Sequence, residues 1–166
     1  MRALLTVLAV LALSACATVQ KLDAANDVHA LLIAIRDDDR ATFDSYVDRR
    51  ALKGEISDRL MVEAGKDRKL SGVAAILAPG LAELAGEALI RPDVFRAVAD
   101  YYGYGADTRI PPAIYISKML RPLPDGRVCA VGKKGGDCIL VFTHAADGRW
   151  KLSGFDGALS MLRLKT

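Results

Sequence analysis

The stretch RPLPDGRVCAVGKKGGDCILVFTHAADGRWKLSGF, residues 121–155, decides the fold class. Its apolar runs are short, rich in Val, Ile and aromatic residues, and separated by Asp-Gly and Gly-Gly signals, the texture of strands joined by tight turns. Four strands are predicted: Ala113 to Leu120, Arg127 to Val131, Cys138 to Thr143 and Trp150 to Phe155. The connections RPLPDG, GKKGG and HAADGR are each short enough for a hairpin, so an antiparallel meander is expected. A two-residue Lys133-Lys134 turn would need positive φ at both lysines, which favours a looser loop relaxed by Gly132, Gly135 and Gly136. Cys129 and Cys138 then stand on the two arms of the second hairpin. There they are expected to pair as a disulfide, provided the compartment is oxidising. A redox or metal pair fits less well, because the spacing is not CxxC and no histidine lies beside it.

Upstream of this half the apolar period is helical. Val28, Leu31, Leu32 and Ile35 recur at i, i+3, i+4 and i+7, which predicts an amphipathic helix from about Leu22 into Asp37-Asp38-Asp39. An acidic run suits a helix start, so Asp39 is expected to cap a short second helix through Tyr46. Asp48 is expected to cap a third helix, with Val47 before it stapled onto Leu52 in the first turn. Leu52, Ile56 and Leu60 form the stripe of that helix. Ser71 is a further cap, and the small-residue segment Val73 to Ile90 is broken by Pro79-Gly80. Pro92 suits the first turn of a last helix carrying Val94, Phe95 and Val98. The loop YYGYGADTRIPP, residues 101–112, closes the helical half. Helices first and strands second is an α+β order: N-terminal helices (22–102) packed on a four-stranded antiparallel meander (strand half 113–156).

The N-terminus has the order of a secretory signal, with a basic Arg2, an uncharged run from Ala3 to Ala12, and small residues after it. The run is shorter than the roughly 20 apolar residues a spanning helix needs. Leu13-Ser14-Ala15-Cys16 looks like a bacterial lipobox, and in lipoproteins of that kind the cysteine is diacylated and the signal cut before it. The resemblance implies that Cys16 is a lipidation site, that residues 1–15 are a signal peptide and that residues 16–21 are a lipidated tether. Ala17 after the cysteine implies the outer membrane under the sorting rule of some lipoproteins, with the domain facing the periplasm. More than one acyl chain makes such anchoring stable.

Residues 22–166 are enough for one compact α+β domain and too few for two ordinary ones. The chain has 23 Lys and Arg against 20 Asp and Glu, and one of the basic residues is Arg2 of the signal, leaving +2. The basic residues are dispersed and often beside acids, so no nucleic-acid partner is expected.

The run AIRDDDRATFDSYVDRRALKGEISDRL, residues 34–60, resembles the opening of a bacterial envelope family catalogued only as a domain of unknown function. In that family a helix pair with a YVD…AL pattern precedes a strand-rich end with a WKL segment. Here the pattern is carried by Asp39, Phe43, Tyr46, Val47, Asp48, Ala51 and Leu52, with Trp150-Lys151-Leu152 near the end. The resemblance implies a fold and no assigned activity. The order of helices and a meander ending in DGRWKLSGF also resembles the cone-shaped NTF2-like fold, whose members include ligand-binding modules and enzymes.

Candidates for chemistry are few. His144 ends the third strand and His29 lies beside the apolar stripe of the first helix; either becomes a general base if a cavity desolvates it. Asp156 follows the tryptophan strand and could serve as a carboxylate in a cone, though a turn role beside Gly157 is the simpler reading. GKKGG lacks the GxxxxGK[ST] spacing of a phosphate loop, and no HExxH, GxSxG or GxGxxG occurs. Glu83 and Glu87 fit a solvated helix face. No cofactor and no metal is expected. Two functions remain: a lipid-anchored module that binds an apolar small ligand or an envelope protein, which is favoured, and a small cone-fold enzyme using His144 or Asp156.

Overall fold

The computed structural model describes residues 2–65, 80, 84, 86, 88–101, 105–132 and 136–155. Five helices are described, α1 (Arg2–Asp37), α2 (Arg40–Ser45), α3 (Arg49–Gly65), α4 (Pro92–Tyr101) and the one-turn α5 (Ala113–Ile116), followed by a 3-10 turn Ser117–Met119. Strands β1 (Leu120–Pro122), β2 (Val128–Val131), β3 (Cys138–His144) and β4 (Trp150–Phe155) form one antiparallel sheet in the order β1-β2-β3-β4. The α+β order read from the sequence is the order observed.

α1 starts twenty residues earlier than its apolar stripe indicates, and Ala17 to Lys21, expected as a tether, is helical. No glycine or proline occurs before Gly54, so nothing in this alanine- and leucine-rich run interrupts the helix. Among the described residues no helix is long and apolar enough to cross a membrane. α1 ends in the acidic run. Asp38 takes a left-handed φ of 56°, the Asp39 N–H donates to Ala34 O at 2.9 Å, and the Asp38 N–H to Ile35 O at 3.4 Å. This is a Schellman closure with aspartate where glycine is usual. Asp39 then caps α2, its Oδ1 accepting the Thr42 N–H at 3.1 Å and its Oδ2 the Thr42 hydroxyl at 2.6 Å. Those two bonds hold the Asp39 carboxyl below its ordinary pKa.

Asp48 caps α3 as expected, accepting the Ala51 N–H at 3.0 Å, and Val47 and Leu52 are both buried in the main core. Replacing Asp48 with alanine removes that acceptor and is expected to cost roughly 0.5 to 2 kcal/mol of stability, the usual range for a lost N-cap. Urea denaturation measures the loss, and an unchanged midpoint would contradict the capping role.

The first predicted strand is corrected. Ala113 to Met119 is helical, and only Leu120 to Pro122 pairs with β2, through Leu120↔Ala130, Arg121↔Cys129 and Pro122↔Val128. Pro112 sets the start of the turn: the Tyr115 and Ile116 N–H groups donate to its carbonyl, and the Ser117 hydroxyl donates to Ile114 O. Pro112 stands at the N-cap with ψ 152°, just outside the helix, where its missing N–H removes no helical hydrogen bond. Pro122 lacks an N–H, which limits β1 to a short edge strand.

The two Asp-Gly turns are built alike. Leu123 N–H donates to Arg127 O at 2.8 Å and Ala145 N–H to Arg149 O at 2.8 Å, each closing a three-residue loop. Gly126 and Gly148 take φ of 84° and 81°, conformations that a side chain would strain. Asp125 and Asp147 each accept the N–H two residues on, from Arg127 and Arg149. In the middle hairpin Cys129 and Cys138 are bonded, with Cα atoms 5.6 Å apart across a register shift between Ala130 and Val131. On the chain-entropy estimate a loop of this size adds about 2.5 to 3 kcal/mol.

The two faces of the sheet differ. The inner one, toward α1, carries Val128, Phe142, Trp150 and Leu152, which pack with Phe43, Val47, Leu52 and Ile90 into the main core. Phe43 and Phe95 of α4 meet edge to face, with centroids 5.4 Å apart. The outer one carries a smaller cluster of Cys129, Val131, Cys138 and Val141 against Leu123.

Candidate functional site

Polar side chains converge where α1 crosses the start of β4. Asp23 and Asp27 lie one helical turn apart and so project from one side of α1. The Trp150 ring N–H donates to Asp23 Oδ2 at 2.8 Å, and the Trp150 backbone N–H donates to Asp27 Oδ2 at 2.7 Å. His144, paired with Trp150 across the β3–β4 ladder, sets its ring edge-on to the indole with centroids 5.1 Å apart. The Arg149 guanidinium stands 5.8 Å from the Tyr46 ring centroid.

Backbone pairing completes the cluster. The Leu152 N–H donates to Tyr46 O and the Asp48 N–H to Leu152 O, both at 2.9 Å, a parallel bridge between Val47 and Leu152. The Tyr46-Val47-Asp48 linker thus acts as a short extra strand on the free edge of β4, covering backbone groups that would otherwise stay unpaired. The YVD and WKL segments of the sequence meet at this bridge.

Burial raises the Asp27 carboxyl above its ordinary pKa, and the neighbouring Asp23 charge adds to the rise. The Trp150 N–H, Arg149 and His144 oppose it. With the folded pKa raised, the folded chain holds a proton that the unfolded chain has already lost. This contribution to stability is present below the ordinary carboxylate pKa and is lost as pH rises through the folded value. Asp27→Asn keeps an oxygen acceptor for the Trp150 N–H and removes the titration. Its melting temperature relative to the parent is expected to improve between pH 4 and pH 7, and an equal difference at both pH values would contradict this.

The outer face carries an open cleft of about 260 Å³ lined in part by Glu55, Arg121, Arg127, Ser153, Phe155 and the disulfide's Cys138. Arg59 forms one wall of its surroundings: its guanidinium lies 4.5 Å from the Phe155 ring centroid, donates to Glu55 Oε1 at 2.7 Å, and donates to the Phe155 carbonyl. The ionic side chains favour a polar partner here over an apolar one.

His29 uses Nδ1 to donate to Pro111 O at 2.9 Å, which fastens the 105–112 loop to α1. His144 is exposed and borders the cluster rather than lining an enclosed pocket. Cys16 lies on the helical backbone of α1, its side chain outside those described. Asp156, Glu83, Glu87, Lys133, Lys134, the residues Ser71 to Pro79 and Tyr102 to Tyr104 fall outside the described residues. Among the described residues no group of three or more His, Cys, Asp or Glu is placed to hold a metal. Sequence reading missed Asp23 and Asp27. They look like ordinary solvated acids on a helix, and their partner lies more than 120 residues away, at separations of 127 and 123.

No curated protein and no solved structure matches the chain. One family model matches residues 4–98, from α1 into α4. The match takes in Asp39, Tyr46, Val47, Asp48 and Leu52 and stops before the sheet, so Trp150-Lys151-Leu152 lies beyond it. With more than half of its length matched, the chain belongs to the family described as Protein of unknown function (DUF2939).

Proposed function

We propose that the chain is a lipid-anchored protein of the bacterial cell envelope, held in the outer membrane through Cys16 and facing the periplasm, that acts by binding rather than by catalysis. The observation that carries this reading is Leu13-Ser14-Ala15-Cys16 at the end of an uncharged run with a basic start. The Cys129–Cys138 bond suits an oxidising compartment. Binding is favoured over catalysis because His144 is exposed and the inner face of the sheet is filled by Phe142, Trp150 and Leu152. The surface offered to a partner is the outer sheet face with its polar cleft, which suits an envelope protein or a small polar ligand.

Fractionation tests the anchor. The parent protein is expected in the outer-membrane fraction, resisting a high-salt wash and released by detergent, while Cys16→Ser leaves that fraction. Equal retention of both proteins would overturn the anchor. For the binding role, His144→Ala is expected to leave any phenotype of a deletion strain fully complemented; loss of complementation by a stably folded His144→Ala protein would favour the enzyme.

A further inference from the structure

Val19, Leu22, Ile114 and Tyr115 are large apolar residues left in solvent, with relative exposures of 68%, 41%, 55% and 59%. Two contacts relate the segments that carry them. His29 holds Pro111, and Gln20 donates to Gly126 O at 3.0 Å, so the chain from 111 to 126 runs back along α1 toward its N-terminal end. α5 packs directly on α1 over this course. Ile114 and Tyr115 therefore flank the same stretch of α1, between the levels of His29 and Gln20, about 14 Å at 1.5 Å per residue. On the helical wheel Leu22 and His29 project from one flank of α1. Val19 lies about 60° round from Leu22, and Asp23 and Asp27, which hold Trp150, lie further round in the same direction, about 100° and 140° from Leu22. The Lys118 ammonium sits 4.8 Å from the Tyr115 ring centroid. A tyrosine with a lysine over it, apolar bodies with polar tips, is the pairing favoured at a membrane–water boundary.

We infer that this flank of α1 and α5 docks on the phospholipid headgroup surface, so that the domain lies against its membrane rather than standing off it. The inference rests on the Cys16 anchor reading and deepens it. Three observations point to lipid as the occupant. Cys16 is only three and six residues before Val19 and Leu22, about 4.5 and 9 Å along the helix. No glycine or proline lies between Cys16 and Asp37, so α1 offers no hinge to swing the domain away. Lys21 and Lys118 supply positive charge complementary to phosphate. The apolar side chains need only reach the headgroup boundary, as an interfacial helix does.

The test uses the full lipidated protein in vesicles of phosphatidylethanolamine and phosphatidylglycerol, with single reporter cysteines. Ile114→Cys and Leu22→Cys report the proposed flank; Ala146→Cys, exposed in the β3–β4 turn, reports the Asp23 and Asp27 side. Alkylation by a charged, water-soluble maleimide is compared with and without vesicles, and intact mass reports the lipid on Cys16. Expected is a slowing of roughly tenfold or more at Ile114→Cys and Leu22→Cys and none at Ala146→Cys, as for side chains at the headgroup boundary. Lipidated protein that reacts at the same rate at all three positions would overturn the docking and leave the anchor standing. Protein that carries no lipid at Cys16 would overturn the anchor reading and the docking with it.

Discussion

Replacing Trp150 with alanine is expected to lower stability by about 3 to 5 kcal/mol, the range for deleting a buried aromatic side chain. Trp150 is buried in the main core and is the point at which α1, β3 and β4 meet. The substitution empties that space and leaves Asp23 without the indole donor. For a chain of this length each kcal/mol moves the melting temperature by roughly 2 to 4 °C, so the drop is readily seen by circular dichroism. Trp150→Phe separates packing from hydrogen bonding: it keeps most of the apolar volume and the backbone bond to Asp27, and it is expected to cost about 0.5 to 1.5 kcal/mol. A loss under about 1 kcal/mol for Trp150→Ala would show that the indole is not a packing centre.

Leu52→Ala is expected to cost about 2 to 5 kcal/mol, because Leu52 is buried at the first turn of α3 in the same core cluster as Val47. The effect reaches beyond a cavity. Val47 and Leu52 fix the angle at which α3 leaves the linker, and that linker pairs with Leu152 on the edge of β4. Leu52→Ala is therefore expected to raise amide exchange at Asp48 and Leu152 more than in the β2–β3 hairpin, which the Cys129–Cys138 bond closes independently. Uniform exchange across both regions would contradict a local role for this junction.

Features that depend on a few neighbouring residues were legible in the sequence. Asp39 and Asp48 announce helix starts by residue type and spacing, and Asp125-Gly126 and Asp147-Gly148 announce turns, because cap and turn chemistry acts over three or four residues. The misread segment, Ala113 to Leu120, is short enough that alternating and helical apolar patterns fit equally well, and Pro111-Pro112 decided the outcome. The helical state of Ala17 to Lys21 was not legible for a different reason. Ala17 to Lys21 carries no helix breaker, and Gln20 finds a partner at Gly126 that only the folded β1–β2 hairpin supplies. The Asp23, Asp27 and Trp150 cluster was illegible because hydrogen bonds between residues so distant in sequence leave no period or spacing. The meeting of the YVD and WKL segments is of the same kind: each reads as a local motif, and only the parallel bridge at Val47 and Leu152 joins them.

The proposed anchor at Cys16 is tested most directly by the intact mass of protein extracted from isolated outer membranes. The account predicts a mature chain that begins at Cys16, carries added acyl mass on that residue, and is two hydrogens lighter than its reduced form through the Cys129–Cys138 bond. A chain that still begins at Met1, or one with an unmodified Cys16, would contradict it.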